Sequence, residues 1–207
     1  MNVILDLDNT IINALEEHER ESLPLDFQNQ FQYHDLTPYG MRIFARPGLQ
    51  EFLDYLFANF RVTVFTAAEQ EYALFIINNF LLNKPGRKLA YIFFRYHVDI
   101  ALKRFKGGMK DLRLLFNVFN IDGFYPCNTV IIDDLVDVFE ANPDNTIRIK
   151  SFDVAHDGVI NREAVNDKEL IRVQKVLEDL NQRYKRSDCI RQIYKGQVPR
   201  LESPFEL

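Results

Sequence analysis

Val3-Ile4-Leu5-Asp6-Leu7-Asp8-Asn9-Thr10 stands almost at the start of the chain. Three adjacent apolar residues, two of them β-branched, read as a strand buried on both faces. Such strands belong to parallel sheets covered by helices. The run ends on an acid, so the carboxyl end of this strand carries Asp6 and, two residues on, Asp8. Open parallel sheets bind ligands at that end, which makes the residue after each buried run the place to look for chemistry.

Further runs of this kind follow at Val62-Thr63-Val64-Phe65 and Val130-Ile131-Ile132, with Thr146-Ile147-Arg148-Ile149 as a fourth. Helical spacing fills the intervals. Leu49, Phe52, Leu53 and Leu56 share a face behind Pro47, which suits a first turn, and Ala73, Leu74, Ile77 and Leu81 share another over 70–82. Helices are also expected over 110–119 and over 167–184, the latter with Leu170, Val173, Val176, Leu177 and Leu180 apolar. This alternation predicts an α/β fold, a Rossmann-like parallel sheet covered by helices.

Two segments interrupt it. Residues from about 25 to 46 carry Phe27, Phe31, Tyr33 and Ile43-Phe44 around Pro38-Tyr39-Gly40, which predicts an antiparallel hairpin. Residues from about 84 to 108 carry Tyr91-Ile92-Phe93-Phe94-Arg95-Tyr96 and then Gly107-Gly108, which predicts a second short β insertion. One domain over 1–186 with these two insertions, then a tail over 187–207 without clear periodicity, is the expected organisation.

A chain of 207 residues buries enough surface to fold without a disulfide or structural metal. Thirty acidic residues against 25 basic ones argue against a general polyanion binder, whose signature is a basic excess. The local run Lys103-Arg104-Phe105-Lys106 leaves a basic groove open. Cys127 and Cys189 lie far apart, without partners at metal-ligand spacing, and read as two reduced thiols. Acid arrives before a signal-peptide apolar region can form, and no apolar run approaches the ~20 residues of a membrane span. An intracellular protein is expected, cytoplasmic or nuclear, with no membrane partner.

Asp6-Leu7-Asp8-Asn9-Thr10 follows the first strand, Thr66-Ala67-Ala68 the second and Asp133-Asp134 the third, while Lys110 opens a helical stretch. Converging carboxylates with one lysine and one hydroxyl suit a divalent cation and a phosphate. Oxygen ligands are what Mg²⁺ prefers, and Lys and Thr can bind phosphoryl oxygens. Taken singly, each piece has a plainer reading. Asp-x-Asp is common in turns, Asp133-Asp134 and Thr66 can cap helices, and Lys110 can be a surface charge. An EF-hand loop fails because its sixth position is Ile11, where glycine is needed. His18, His34, His97 and His156 show no ligand spacing.

In this order Asp6-Leu7-Asp8-Asn9-Thr10, Thr66, Lys110 and Asp133-Asp134 resemble the four motifs of the haloacid dehalogenase superfamily. Further matches are Arg46-Pro47-Gly48-Leu49, Val64-Phe65-Thr66-Ala67-Ala68, Tyr72-Ala73, Lys110-Asp111-Leu112 and Asn142-Pro143-Asp144-Asn145-Thr146-Ile147. These resemble one branch, the phosphatases of the RNA polymerase II C-terminal domain, also called NLI-interacting-factor-like phosphatases, over roughly 1–180. Two positions depart from the branch: Asn9 where glutamate is usual, and Leu135 where serine is frequent. The stretch 25–46, which helps shape the peptide groove in the family, matches poorly.

The resemblance implies a Mg²⁺-dependent phosphomonoester hydrolase. Asp6 would be the nucleophile, forming an aspartyl-phosphate, and Asp8 the general acid and base. Asp6 and Asp133 would hold the metal with the backbone carbonyl of Asp8, and Asp134 would act through a metal-bound water. Thr66, the amide of Ala67 and Lys110 would bind phosphoryl oxygens, and Arg95 stands where the branch places a substrate-contacting arginine. Asn9 and Thr10 would serve the motif turn. The aromatic residues around Arg95 read either as core or as a groove for a proline-rich peptide.

The gaps between motifs bear on substrate size. Residues 8–66 must supply a hairpin and a core helix, and 66–110 a helix and a short insertion, so neither holds a large cap domain. An open site favours a phosphoprotein or phosphopeptide, with the RNA polymerase II C-terminal domain as the branch's own candidate. Two alternatives stay open: a phosphatase of nucleic-acid ends, disfavoured by the acidic balance, and a non-catalytic phosphopeptide-binding module.

Overall fold

The computed structural model describes residues 1–106, 108–156 and 158–190. Its centre is β1 (Asn2–Leu5), whose Val3, Ile4 and Leu5 are wholly buried. Along the chain follow β2 (Ile12–Glu16), α1 (Glu17–Glu21), α2 (Leu25–Gln28), β3 (Tyr33–Leu36), β4 (Met41–Ala45), α3 (Leu49–Asn59) and β5 (Arg61–Phe65). Next come α4 (Gln70–Ile76), β6 (Ile92–Phe93), α5 (Arg95–Arg104), β7 (Thr129–Asp133) and α6 (Val136–Ala141). β8 (Thr146–Arg148), β9 (Ala155–His156), β10 (Val159–Ile160) and α7 (Glu169–Ser187) complete the described chain.

Five strands form one parallel sheet in the order β6-β5-β1-β7-β8. The two-residue period of a strand divides the core. Val3, Leu5, Val62 and Val64 face one layer with Leu53 and Leu56 of α3 and Val173 and Leu177 of α7. Ile4, Phe65 and Ile131 face the other, with Val98 and Ala101 of α5 and Val138 of α6. Each fully buried aliphatic side chain contributes about 1.5–3 kcal/mol. Among the described residues no large cap covers the strand ends.

The structure departs from the sequence reading in five places. The hairpin β3–β4 gains a third strand, giving the antiparallel order β2-β4-β3. Its apolar face rests on Phe27, Phe31, Phe44 and Phe152, with Phe31 and Phe44 edge to face at 5.8 Å. The second insertion is not a β unit. Its aromatic run yields only β6, which joins the main sheet, and then turns into α5, where Arg95 N–H donates to the Ala68 carbonyl. Val98 and Ala101 are the residues α5 buries, a thin helical signal beside so many aromatics.

The helix expected over 110–119 shrinks to one π-helical turn, Leu114–Val118, and Lys110, with φ of +50°, stands outside helical geometry. Similarly, α4 gives way to a π-helical turn at Ile77–Leu81. Finally, Cys127 and Cys189 are joined in a disulfide, against the expectation of free thiols. The end of α7 returns beside the loop before β7, where Ile190 N–H donates to the Cys127 carbonyl, so 62 residues of sequence separation vanish in space. Of the expected tail over 187–207, residues 191–207 lie outside the described residues.

Candidate active site

β1, β5 and β7 are adjacent and parallel, so the residues that follow them meet at one edge of the sheet. Asp6 leaves β1 with its N–H donated to the Ile132 carbonyl, and Thr66 leaves β5 donating to the Phe93 carbonyl. Asp133 ends β7, and its Oδ1 accepts from Leu135 N–H at the start of α6. Lys110 reaches into this edge. Its ammonium lies 2.5 Å from Asp6 Oδ1 and 2.7 Å from Asp133 Oδ2, and the residue is 1% exposed.

Asp6, Asp133 and Asp134 each place a carboxylate oxygen within 4.8 Å of the others. The turn after Asp6 brings in Thr10, whose hydroxyl donates to Asp134 Oδ1 at 3.2 Å and reaches Asp6 Oδ2 at 3.4 Å. Asn9 sits in this turn with φ of +55°. Asparagine tolerates the left-handed region better than most residues, which gives the departure from the family's glutamate a physical sense. The turn is held from below by Arg46, with no side-chain exposure. Arg46 Nη1 donates to the Thr10 carbonyl, while Nε and Nη2 each donate at 2.8 Å to Asp167.

Charge at this edge is unbalanced. Asp6, Asp133 and Asp134 face a single ammonium. Burial and the nearby Asp6 charge push Asp133 and Asp134 above the usual carboxylate range, against the opposing pull of Lys110. Burial alone would lower Lys110, but Asp6 and Asp133 more than offset it and hold the ammonium charged. Asp8 is pushed up to about 6, first by burial, partly relieved by Tyr72, whose hydroxyl donates to Asp8 Oδ1 at 2.5 Å. Tyr72 is itself raised by burial and by Asp8. A crowded set of hard oxygen donors with too little positive charge fits a small divalent cation. Asp6, Asp133 and Asp134 are the side chains able to hold it, since Asp8 is turned toward Tyr72.

Asp6, Lys110, Asp133 and Asp134 are brought together, and Asp8 flanks them. Thr66 is fully buried, its Oγ1 accepting from Ala68 N–H. Arg95 lies against the same loop, Nε donating to the Ala67 carbonyl at 2.6 Å. Of the aromatics around it, Phe93 is core and Tyr96 is 69% exposed. Tyr72 and Arg46 also serve the site, and both lie in the motifs that carry the family resemblance, although their partners Asp8 and Asp167 are distant in sequence.

Comparison with known proteins agrees with this geometry. The family model of NLI interacting factor-like phosphatases matches residues 1–189. A putative CTD phosphatase-like protein 355R of Invertebrate iridescent virus 3 is 38% identical over 183 residues, covering 85% of this chain and 94% of that protein. Its counterpart in Invertebrate iridescent virus 6 is 36% identical over 187 residues, covering 85% and 96%. Among solved structures, Fcp1, an essential RNA polymerase II CTD phosphatase, superposes with a TM-score of 0.63 at 19% identity, over 93% of this chain and 68% of Fcp1. A fold with acids, lysine and threonine at its strand ends, matched by the family model over nearly its whole described length, places the chain in the NLI interacting factor-like phosphatases, a branch of the haloacid dehalogenase superfamily.

Proposed function

We propose that the protein is a Mg²⁺-dependent phosphatase that removes phosphate from serine or threonine of a protein through an aspartyl-phosphate on Asp6. The observation that carries this is Lys110 held between Asp6 and Asp133, with Asp8 standing apart on Tyr72. Two carboxylates two residues apart thus have different environments, one paired with an ammonium and one partly protonated near neutral pH, as a nucleophile and a general acid require.

In the first step an Asp6 oxygen bonds to phosphorus while the bond from phosphorus to the substrate oxygen breaks, and Asp8 gives that oxygen its proton. In the second step water attacks phosphorus, Asp8 takes the water's proton, and the bond to Asp6 breaks. Lys110, Thr66 and the amide of Ala67 bind the phosphoryl oxygens; each such fixed donor is worth about 10²–10³ in rate. Asp6, Asp133 and Asp134, with the backbone carbonyl of Asp8, would hold Mg²⁺, whose charge would offset the repulsion between phosphate and carboxylate.

The absence of a large cap among the described residues supports a phosphate on a loop or tail over a small metabolite. Arg95 at the Ala67 loop and the exposed Tyr96 beside it give such a segment a cation and an aromatic face. The names of the viral relatives and of Fcp1 make the RNA polymerase II C-terminal domain the first substrate to try. The test compares phosphoserine heptad peptides, 5′-phosphorylated oligonucleotides and an aryl phosphate, with Mg²⁺ or EDTA and with Asp6→Asn. Peptide turnover that needs both Mg²⁺ and Asp6 is expected. Preference for the oligonucleotide, or turnover surviving in Asp6→Asn, would overturn the reading.

A further inference from the structure

Lys110 occupies a backbone conformation that its residue type disfavours, with φ of +50°. It is the third residue of a turn closed by Asp111 N–H donating to the Gly108 carbonyl, the position where turns of this kind favour glycine. Non-glycine residues keep such conformations only where their surroundings fix them. Here the fixing group is a side chain from elsewhere in the fold. Asn142 Nδ2 donates to the Lys110 carbonyl at 3.1 Å, and Asn142 Oδ1 accepts from Leu112 N–H at 2.8 Å. The amide thus spans the backbone on both sides of Asp111.

Asn142 is well placed to do this. It is 6% exposed and follows directly on α6, whose start carries Asp133 and Asp134 just before it. Its Nδ2 also donates to the Val138 carbonyl, its N–H to Val138 and Phe139, and its own carbonyl accepts from Asn145 N–H and the Thr146 hydroxyl. The end of β7 and the end of α6 therefore grip Lys110 twice, Asp133 at the ammonium and Asn142 at the carbonyl. We infer that Asn142 is a positioning residue for the reaction, one that holds Lys110 in the left-handed turn from which its ammonium reaches Asp6. The inference rests on the proposed role of Lys110 and deepens it.

The test is kinetic, with an aryl phosphate as substrate well below each variant's melting temperature. Asn142→Ala should lower kcat by about 10²-fold, the effect of misplacing a catalytic group by about 1 Å, with KM changed less than about threefold. In a Lys110→Met background the same substitution should cost less than about threefold, since the group it positions is gone. The ¹³Cα shift of Lys110, which reports backbone conformation, should move in Asn142→Ala, and this readout stands even where Lys110→Met has no measurable turnover. Asn142→Ser serves where the alanine variant fails to fold. A folded variant with kcat within about threefold of the parent, an unmoved Lys110 shift, or an undiminished loss in the Lys110→Met background would overturn the inference. Full activity of Lys110→Met would instead remove the proposed role of Lys110 itself.

Discussion

Arg46 and Lys110 are both cations shut away from water, at 1% exposure each, and they meet opposite fates. Arg46 grips the Asp167 carboxylate through two parallel hydrogen bonds, donates to the Thr10 carbonyl and lies over the Phe152 ring. Charge balances charge, and the pair is closed. Lys110 faces Asp6 and Asp133 directly, with Asp134 and Asp8 close behind, so acid outnumbers base. The first arrangement holds a loop still. The second leaves a deficit of positive charge at an open sheet edge, which a divalent cation can fill. A balanced buried pair marks structure, and an unbalanced one marks chemistry.

The sharpest way to break this contrast is to remove one charge from each cluster. Asp6→Asn should cut turnover of an aryl phosphate by about 10⁶-fold, the scale of losing a nucleophile. It should leave the melting temperature unchanged or higher, because a repelling charge is gone. Arg46→Met should act first on stability. It strands Asp167 and the Thr10 carbonyl, and breaking a buried pair from one side costs about 3–5 kcal/mol, readable in urea unfolding. A destabilised Asp6→Asn beside an undisturbed Arg46→Met would invert the comparison.

Acidity gives a smaller and more selective effect. Asp8 binds its proton more tightly folded, near 6, than unfolded, near 3.8. Between these values the folded protein holds more protons, so metal-free stability falls as pH rises through that window, by at most about 3 kcal/mol for this group. Burial and Asp6 raise Asp134 in the same direction. Asp35, held low by Arg42, works oppositely and loses its contribution only toward more acid pH. In EDTA, the fall in unfolding free energy between pH 5 and 7 should flatten in Asp8→Asn, and Mg²⁺ should stabilise the parent more at pH 7 than at pH 5. A slope identical in both proteins would mean that Asp8 titrates as an ordinary carboxylate.

These clusters also show what the sequence could and could not reveal. Buried strands followed by acids were legible, because Val3-Ile4-Leu5 and Val130-Ile131-Ile132 run straight into Asp6 and Asp133, and local pattern suffices there. Long-range polar pairs were not. Nothing local says that Arg46 meets Asp167, 121 residues away, or that Asn142 meets Lys110. The helix expected over 110–119 belongs beside these: its apolar spacing is real, but Lys110 is bent out of helical geometry within the turn that Asn142 braces. The disulfide was hidden in the same way, since only the return of α7 brings Cys189 to Cys127.

The smallest effect separates two reasons for a residue being where it is. Asn9 shares its left-handed backbone with Lys110, at φ of +55° against +50°, yet its side chain makes only a partly buried bond, accepting from Asn13 Nδ2 at 3.2 Å. If the backbone conformation selects asparagine, Asn9→Ala should cost about 1 kcal/mol and Asn9→Gly close to none, because glycine enters this region freely. If the bond to Asn13 selects it, both substitutions should cost the same. Urea unfolding of the two variants distinguishes these outcomes. The backbone account is favoured, since Phe152 N–H donates to the Asn9 carbonyl and Asn9 N–H donates to the Ile12 carbonyl, both at 2.7 Å. The turn is thus fixed by its main chain, and the side chain has only to tolerate it.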